Sequence, residues 1–136
     1  MNSLQNKSAV VGVGAAAILA ISVGFIPTIS MTAWAAFVQC QPAQPCNGTT
    51  QSDAIIGTQG ADKISALGGH DVVDARGGND NVMGGTGNDN LSGGSGSDIL
   101  SGGPGADRFD CGDGIDTITD FNAAQGDIKS ANCENF

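Results

Sequence analysis

Apolar side chains recur at every ninth residue through the middle of the chain. Each stands between two mostly polar neighbours, and this alternation over three residues is typical of a very short, half-buried strand. The residues from 48 to 119 therefore divide into eight units of nine, with the apolar residue at the eighth position of each unit. These apolar residues are Ile55, Ile64, Val73, Val82, Leu91, Leu100, Phe109 and Ile118.

The first six residues of a unit are rich in glycine, as in Gly84-Gly-Thr-Gly-Asn-Asp. Glycine adopts positive φ angles at little cost, so this part of each unit is predicted to be a turn. A turn and a short strand make half of a coil, and two consecutive units complete one coil. Eight units therefore predict an all-β fold of about four coils, a parallel β-roll solenoid with the apolar residues inside.

An aspartate also recurs at every ninth residue, in register with the apolar series. In a coil of two units, aspartates from every second unit stack on the same side, so the eight form two columns. Neighbouring strands lie ~4.8 Å apart, and carboxylates stacked at that distance repel one another unless a cation lies between them. One column holds Asp53, Asp71, Asp89 and Asp107, and the other holds Asp62, Asp80, Asp98 and Asp116.

The units resemble the glycine- and aspartate-rich nonapeptide of the RTX, or haemolysin-type, calcium-binding repeat family. The pattern is most complete from Gly84 to Asp110. The resemblance implies that Ca²⁺ ions lie between turns of adjacent coils on the same side, with the aspartates as charged ligands. Ca²⁺ accepts about 6 to 8 oxygen ligands in irregular geometry, which suits carboxylates and turn carbonyls better than the strict octahedron of Mg²⁺ does.

Carried over to this sequence, the resemblance makes all eight aspartates candidate metal ligands. Three intervals in each column allow several ions, at most six. The intervals 71–89, 89–107 and 80–98 have the most complete glycines, and those that use Asp53 or Asp116 are less complete. Aspartate and glycine also mark ordinary turns. That alternative explains the turns but not an unbroken register in which asparagine never replaces the aspartate.

The first 35 residues have the organisation of a secretory signal peptide. A polar start with Lys7 leads into an apolar run from Ala9 to Ile29, and Ala33-Trp-Ala35 offers small residues at a cleavage site. We expect cleavage after Ala35 and export to the extracellular space. An uncleaved membrane anchor is the alternative, because the apolar run is about as long as the ~20 residues that span a bilayer.

The chain expected after cleavage, residues 36–136, is long enough for one domain and strongly acidic. It keeps four basic side chains against all 14 acidic ones, a net charge of −10, and 13 of the acids are aspartates. Such a chain repels nucleic acid and anionic membranes, so neither is an expected partner. We also expect it to be largely disordered without counter-charge and to fold when calcium binds.

The four cysteines all lie in the exported part, where the compartment is oxidising. They allow three pairings. Proximity favours Cys40 with Cys46 and Cys111 with Cys133, which would staple the two ends of the roll. A zinc site is the alternative, but the chain has no Cys-x-x-Cys motif and a single histidine.

The remaining segments are predicted to close the ends of the roll. Residues 36–47 form a lead-in with no periodic pattern, and residues 120–136 form a C-terminal cap that resembles the one following the repeats in RTX proteins. Phe121 and Ile128 of the cap are expected to cover the open end. Such a cover matters because an exposed strand edge invites other chains to pair with it.

These features predict a secreted calcium-binding protein whose repeat folds on binding the ions. The alternative is an extracellular structural or adhesive module in which calcium serves only as scaffold, although the outward positions form no repeated ladder. We expect no enzyme activity and assign no catalytic or organic cofactor-binding residue. His70, the only histidine, is predicted to face solvent from a turn beside Asp71.

Overall fold

Strands are the regular elements in the described part of the chain. The computed structural model describes residues 35–134 and Val11–Gly12, and the rest of the predicted signal segment lies outside the described residues. No helix in the described ranges is long and apolar enough to cross a bilayer. The strands are β1 (Val11–Gly12), β2 (Phe37–Gln39), β3 (Cys46–Asn47), β4 (Ala54–Ile56), β5 (Lys63–Ser65), β6 (Val72–Asp74), β7 (Asn81–Met83), β8 (Asn90–Ser95), β9 (Ile99–Ser101), β10 (Arg108–Asp113), β11 (Thr117–Ile118) and β12 (Ile128–Lys129).

Successive strands alternate between two sheets. One sheet runs in the order β1-β2-β4-β6-β8-β10-β12 and the other in the order β11-β9-β7-β5-β3. All pairs are parallel except that of β1 with β2. Ile55 pairs with Val73, and Val73 pairs with Leu91, a register of two units. The result is a β-solenoid of about five turns, which confirms the predicted parallel β-roll with two units in each coil.

The roll extends beyond the eight units at both ends. In the lead-in, Val38 pairs with Ile55 and Cys46 pairs with Ile64, so β2 and β3 add nearly a whole coil. At the other end β12 pairs with β10. The lead-in contains neither the aspartate that marks every unit nor a glycine, and this is why the sequence pattern predicts about four coils rather than five.

The core is a narrow column enclosed by the two sheets. The eight apolar residues at the eighth position of the units are all at most 2% exposed. The first position of each unit also faces inward, and Ala66, Ala75 and Cys111 at that position are fully buried. Each unit therefore contributes only one large apolar side chain, so the core is thin for a chain of this length.

The C-terminal cap covers the roll with one of its two predicted side chains. Phe121 packs against the core, with its ring centroid 6.4 Å from that of Phe109. The prediction for Ile128 is wrong, because this side chain is 52% exposed. The register pairs Ile128 with Arg108, which points outward, and places Lys129 opposite the inward-facing Phe109.

The two disulfides staple the ends of the roll as predicted. Cys40 pairs with Cys46 and Cys111 pairs with Cys133, each with a Cα–Cα distance of 5.2 Å. The first closes the turn between β2 and β3, and the second ties the C-terminal segment to β10. All four thiols are therefore consumed, and the zinc alternative is wrong.

Glycine becomes necessary at the second position of a unit only when a coil with the same turn precedes it. Gly85 has a φ of +109°, and a Cβ added to it would overlap the carbonyl oxygen of Leu67 in the preceding coil. Leu67 itself has a φ of +79° but carries a side chain, which is half exposed. The corresponding residue of the preceding coil, Thr49, is not left-handed.

We predict that Gly85→Ala destabilises the roll by at least ~2 kcal/mol, because the new Cβ meets backbone and the left-handed conformation disfavours a side chain. Leu67→Ala at the same position of the preceding coil is the matched control and should change stability by less than ~1 kcal/mol. Chemical denaturation with calcium present measures both free energies of unfolding. Equal destabilisation by the two substitutions would contradict the steric explanation.

Candidate metal centre

The sixth position of each unit places its aspartate inside the turn. All eight candidate ligands are buried, with exposed fractions between 0% and 5%. Six of these aspartates are followed by another one coil later. In each such pair, the backbone N–H of the earlier aspartate donates to Oδ1 of the later one at 2.7–2.9 Å. The structure therefore brings the eight together as the two predicted columns. Their role as metal ligands stays a prediction.

Two further carboxylates end the columns. Asp107 N–H donates to Oδ1 of Asp127 at 2.9 Å, and Asp116 N–H donates to Oε2 of Glu134 at 3.3 Å. Sequence reasoning missed both residues. Glu134 follows Asp116 by two full units and so continues that register. Asp127 lies two places beyond the position that the register gives after Asp107, which hides it from a search for a fixed period.

The turns at the start of the roll satisfy their aspartates with threonine. Oδ2 of Asp53 accepts the backbone N–H of Thr49 at 2.5 Å, and Oδ2 of Asp62 accepts that of Thr58 at 2.6 Å. The threonine hydroxyls donate to the same carboxylates at 3.0–3.2 Å. Both oxygens of these two aspartates therefore have protein donors, which reduces their capacity to bind a cation.

The inner aspartates have a buried oxygen that no hydrogen bond satisfies. In these turns the residue four places before the aspartate is left-handed, as Gly85 is in the unit of Asp89. The N–H of Gly85 donates to the carbonyl of Gly102 in the next coil and not to the aspartate. A buried carboxylate oxygen without a partner is costly, so each such atom needs an explanation. The unpartnered atoms are Oδ2 of Asp71, Asp80, Asp89, Asp98 and Asp107.

The unpartnered oxygens face backbone in glycine-lined turns. A Cβ built on Gly84 would overlap Oδ2 of Asp89 and lie 2.9 Å from the carbonyl oxygen of Gly102. A Cβ built on Gly93 would meet Oδ2 of Asp98 and the carbonyl of Cys111 at 2.5 and 2.7 Å. The first position of these units thus brings a carboxylate oxygen and a carbonyl oxygen of the next coil close to one point.

Burial weakens the acidity of the inner aspartates. The pKa of Asp71, Asp80 and Asp107 is raised from 3.8 to about 6, mainly by desolvation and in smaller part by the negative charge of neighbouring carboxylates. The backbone N–H that donates to each carboxylate opposes part of this rise. Desolvation is also the main cause of the raised pKa of Asp89, Asp98 and Asp116. Ionised carboxylates in these two columns are therefore unfavourable without positive charge nearby.

These donors fit a hard cation that accepts backbone oxygens. Within the described residues, no three histidine, cysteine or acidic side chains converge on one point, so no cage of side chains alone is present. Isolated carboxylate oxygens beside turn carbonyls match the oxygen ligands and irregular geometry of Ca²⁺. The inner turns could therefore hold Ca²⁺, which would supply the positive charge that the buried carboxylates lack.

His70 belongs to a ladder on the outer side of one column and not to the metal centre. It is exposed, as predicted. Its N–H donates to Oγ of Ser52 at 3.0 Å, its Nδ1 accepts the N–H of Asn88 at 2.9 Å, and Oδ1 of Asn88 accepts the N–H of Ala106 at 3.0 Å. Fifth-position side chains therefore tie neighbouring turns together beside the aspartates.

Comparison with known protein families agrees with this geometry. The model described as "RTX calcium-binding nonapeptide repeat (4 copies)" matches residues 47–82 and again residues 83–118, more than half of the chain. The chain belongs to the RTX calcium-binding nonapeptide repeat family. Membership implies calcium binding by a β-roll, and RTX repeats are generally structural rather than catalytic. No curated protein and no solved structure gave a match to this RTX chain.

The raised pKa values predict that acid partly replaces metal in stabilising the RTX roll. In the unfolded chain an aspartate has a pKa near 3.8, whereas Asp71, Asp80 and Asp107 in the roll have values of about 6. The folded state therefore binds more protons between these values, and metal-free stability falls as pH rises from about 4 to about 6. Circular dichroism in metal-free buffer should show more β-structure at pH 4 than at pH 7.

Saturating calcium is the control for this experiment, because a bound cation removes the cost of ionising the carboxylates. Calcium should therefore restore the β-structure at pH 7. A metal-free chain that gains β-structure as the pH rises from 4 to 7 would contradict the prediction.

Proposed function

We propose that this chain is a secreted calcium-binding protein whose repeat folds on binding several Ca²⁺ ions between stacked turns. The observation that carries the proposal is the row of buried, unpartnered aspartate oxygens in the inner turns. Family membership gives the same metal. No other feature of the described residues calls for charge neutralisation to this extent.

The ions are assigned to the coils with unsatisfied carboxylates. In the intervals 71–89, 89–107 and 80–98, the aspartates at both ends have an Oδ2 atom without a hydrogen bond. The intervals that begin at Asp53 and Asp62 have threonine donors at one end, so they are weaker sites. Three ions are therefore the best-supported number, and six remains the upper bound.

Folding on ion binding follows from the balance of charge and core. The chain from residue 36 carries a net charge of −10, while each unit buries one large apolar side chain. Without cations, folding would stack like charges in two rows and desolvate them. Calcium bound between the turns reverses this cost, so its binding free energy becomes folding free energy. The two disulfides keep the ends partly ordered in the metal-free chain.

Export through the N-terminal segment completes the proposal. The sequence predicts a signal peptide cut after Ala35, and disulfides such as the two in the roll persist in oxidising compartments. The cleaved chain is assigned to the extracellular space, with no nucleic-acid or membrane partner. We assign it no enzymatic activity, and the one histidine is engaged in a turn ladder.

A structural or adhesive module is the second candidate function. Phe37, Ala54 and Val72 lie in register on three neighbouring strands of one sheet, and all three are exposed. An exposed apolar row of this kind is a feature of binding surfaces. In this alternative calcium serves only to hold the sheet that presents the row.

Calcium titration of residues 36–136, followed by far-ultraviolet circular dichroism, tests the first function. We predict a coil-like spectrum without metal that changes to a β spectrum with Ca²⁺ and not with the same concentration of Mg²⁺. A chain that already has full β-structure without metal and does not respond to Ca²⁺ would show that disulfides and packing alone hold the roll.

Asp89→Asn tests the assignment of the inner sites. The substitution keeps an oxygen that can accept the N–H of Asp71 but removes the charge and the unpartnered carboxylate oxygen. We predict at least ~10-fold weaker calcium binding by isothermal titration calorimetry, because ligand charge sets Ca²⁺ affinity. Asp74→Asn is the matched control, since Asp74 is exposed and its loss removes the same charge. Equal effects of the two substitutions would contradict the assignment.

A further inference from the structure

At the start of the first aspartate column, the backbone nitrogen of Ala36 lies at the predicted cleavage site. Phe37 pairs with Ala54, so Ala36 lies opposite Asp53 and takes the place that an aspartate takes in every later coil of this column. Its N–H donates to Oδ1 of Asp53 at 2.8 Å. Ala36 and Asp53 are 9% and 3% exposed, whereas Ala35 is exposed. The border between buried and exposed chain thus falls at the bond that is expected to be cut.

In the uncut chain, Asp53 is a buried carboxylate held by neutral donors. These are the N–H of Ala36, the N–H of Thr49 and the hydroxyl of Thr49, at 2.8, 2.5 and 3.1 Å. Hydrogen bonds stabilise the carboxylate but do not neutralise it. Its interval is also the one in this column that has threonine donors at one end, so calcium is less suited to supply the missing charge.

We infer that cleavage after Ala35 converts the Ala36 nitrogen into the cation that neutralises Asp53. The inference rests on the signal cleavage in the proposed function. An α-amino group is mostly protonated at pH 7. The new ammonium needs no rearrangement to form the pair, because the same nitrogen atom already lies at hydrogen-bond distance from Oδ1. Charge-assisted hydrogen bonds are stronger than neutral ones, and a buried pair is poorly screened by salt.

The position of Ala36 is fixed by a hydrogen bond of its carbonyl group and by the strand that follows it. Its carbonyl accepts the N–H of Ala54 at 2.9 Å, and the next residue starts β2, which pairs with β4 along three residues. The mature N-terminus is therefore held in the sheet and not left to fray. Processing thus supplies the first column with a built-in cation at the end where the turn is least suited to a metal.

The second column provides an internal contrast. Asp62 at its head accepts its hydrogen bonds from the N–H and the hydroxyl of Thr58. The exposed-to-buried border at Ala36 lies beside the first column only. Any effect of the N-terminal charge should therefore depend on Asp53 and not on Asp62.

The test compares the mature chain beginning at Ala36 with a form beginning at Ala35. Both forms carry one α-ammonium, and the extra alanine of the longer form moves it by one Cα–Cα step of ~3.8 Å. Thermal unfolding in saturating calcium, followed by circular dichroism, gives the midpoint Tm. We expect the Ala36 form to have a Tm higher by ~5 °C, and Nα-acetylation of that form to remove most of the gain.

Substitutions at the heads of the two columns assign the effect. Asp53→Asn should reduce the Tm difference between the Ala36 and Ala35 forms to less than ~1 °C, whereas Asp62→Asn should leave it unchanged. Equal Tm values for the two unsubstituted forms, or a difference that survives Asp53→Asn, would overturn the inference. If Asp53→Asn prevents folding, the comparison of acetylated and free Ala36 in the unsubstituted chain decides the matter.

The inference and the proposed function fail separately. N-terminal sequencing of the chain exported with its own leader should give Ala36, and any other first residue would overturn the inference, whatever calcium does. A Tm difference that depends on Asp53 in a chain that does not respond to calcium would support the N-terminal pair and contradict the proposed calcium-dependent folding.

Discussion

The stacking of one buried carboxylate in every half-coil is the constraint on which the rest of this structure depends. The two-unit period fixes the strand register, and the register places aspartates above one another at about the strand spacing of ~4.8 Å. Backbone N–H groups satisfy one oxygen of each inner aspartate and leave the other without a partner. The fold is therefore incomplete electrostatically, because its geometry concentrates negative charge that its own side chains do not neutralise.

The turn residues follow from the same constraint. In the first two units, Thr49 and Thr58 direct an N–H and a hydroxyl at the aspartate, and the turn is complete without a metal. From the third unit onward a left-handed residue takes the place of the threonine, and at Gly85 its N–H donates to the carbonyl of Gly102 in the next coil. This exchange strengthens the stack of coils but removes a donor from the aspartate. Coils with threonine turns thus satisfy their aspartates with protein donors, whereas coils with left-handed turns are suited to Ca²⁺.

The repeat itself was predictable, because its period appears twice in the sequence, in the aspartates and in the apolar residues. The ends were less predictable. The strand around Val38 has no glycine turn before it, and Asp127 lies out of register, so only the folded chain shows that both extend the roll. Ile128 follows Asp127 and is also shifted from the nine-residue register. Its side chain points outward because it pairs with Arg108, a pairing that the sequence pattern does not encode.

Which aspartates are best placed to bind metal could be predicted only in part. The completeness of the glycines favoured the intervals 71–89, 89–107 and 80–98, and the unpartnered oxygens favour the same ones. The threonine donors of Asp53 and Asp62 could not be inferred from the period, since they depend on the φ angle of a residue four places earlier.

A crystal structure of the calcium-loaded mature chain, with ions located by anomalous differences, tests the assignment most directly. It should show ions in these three intervals, with aspartate oxygens at ~2.3–2.6 Å. Inner turns without ions, in which the Oδ2 atoms accept backbone hydrogen bonds instead, would contradict the central claim.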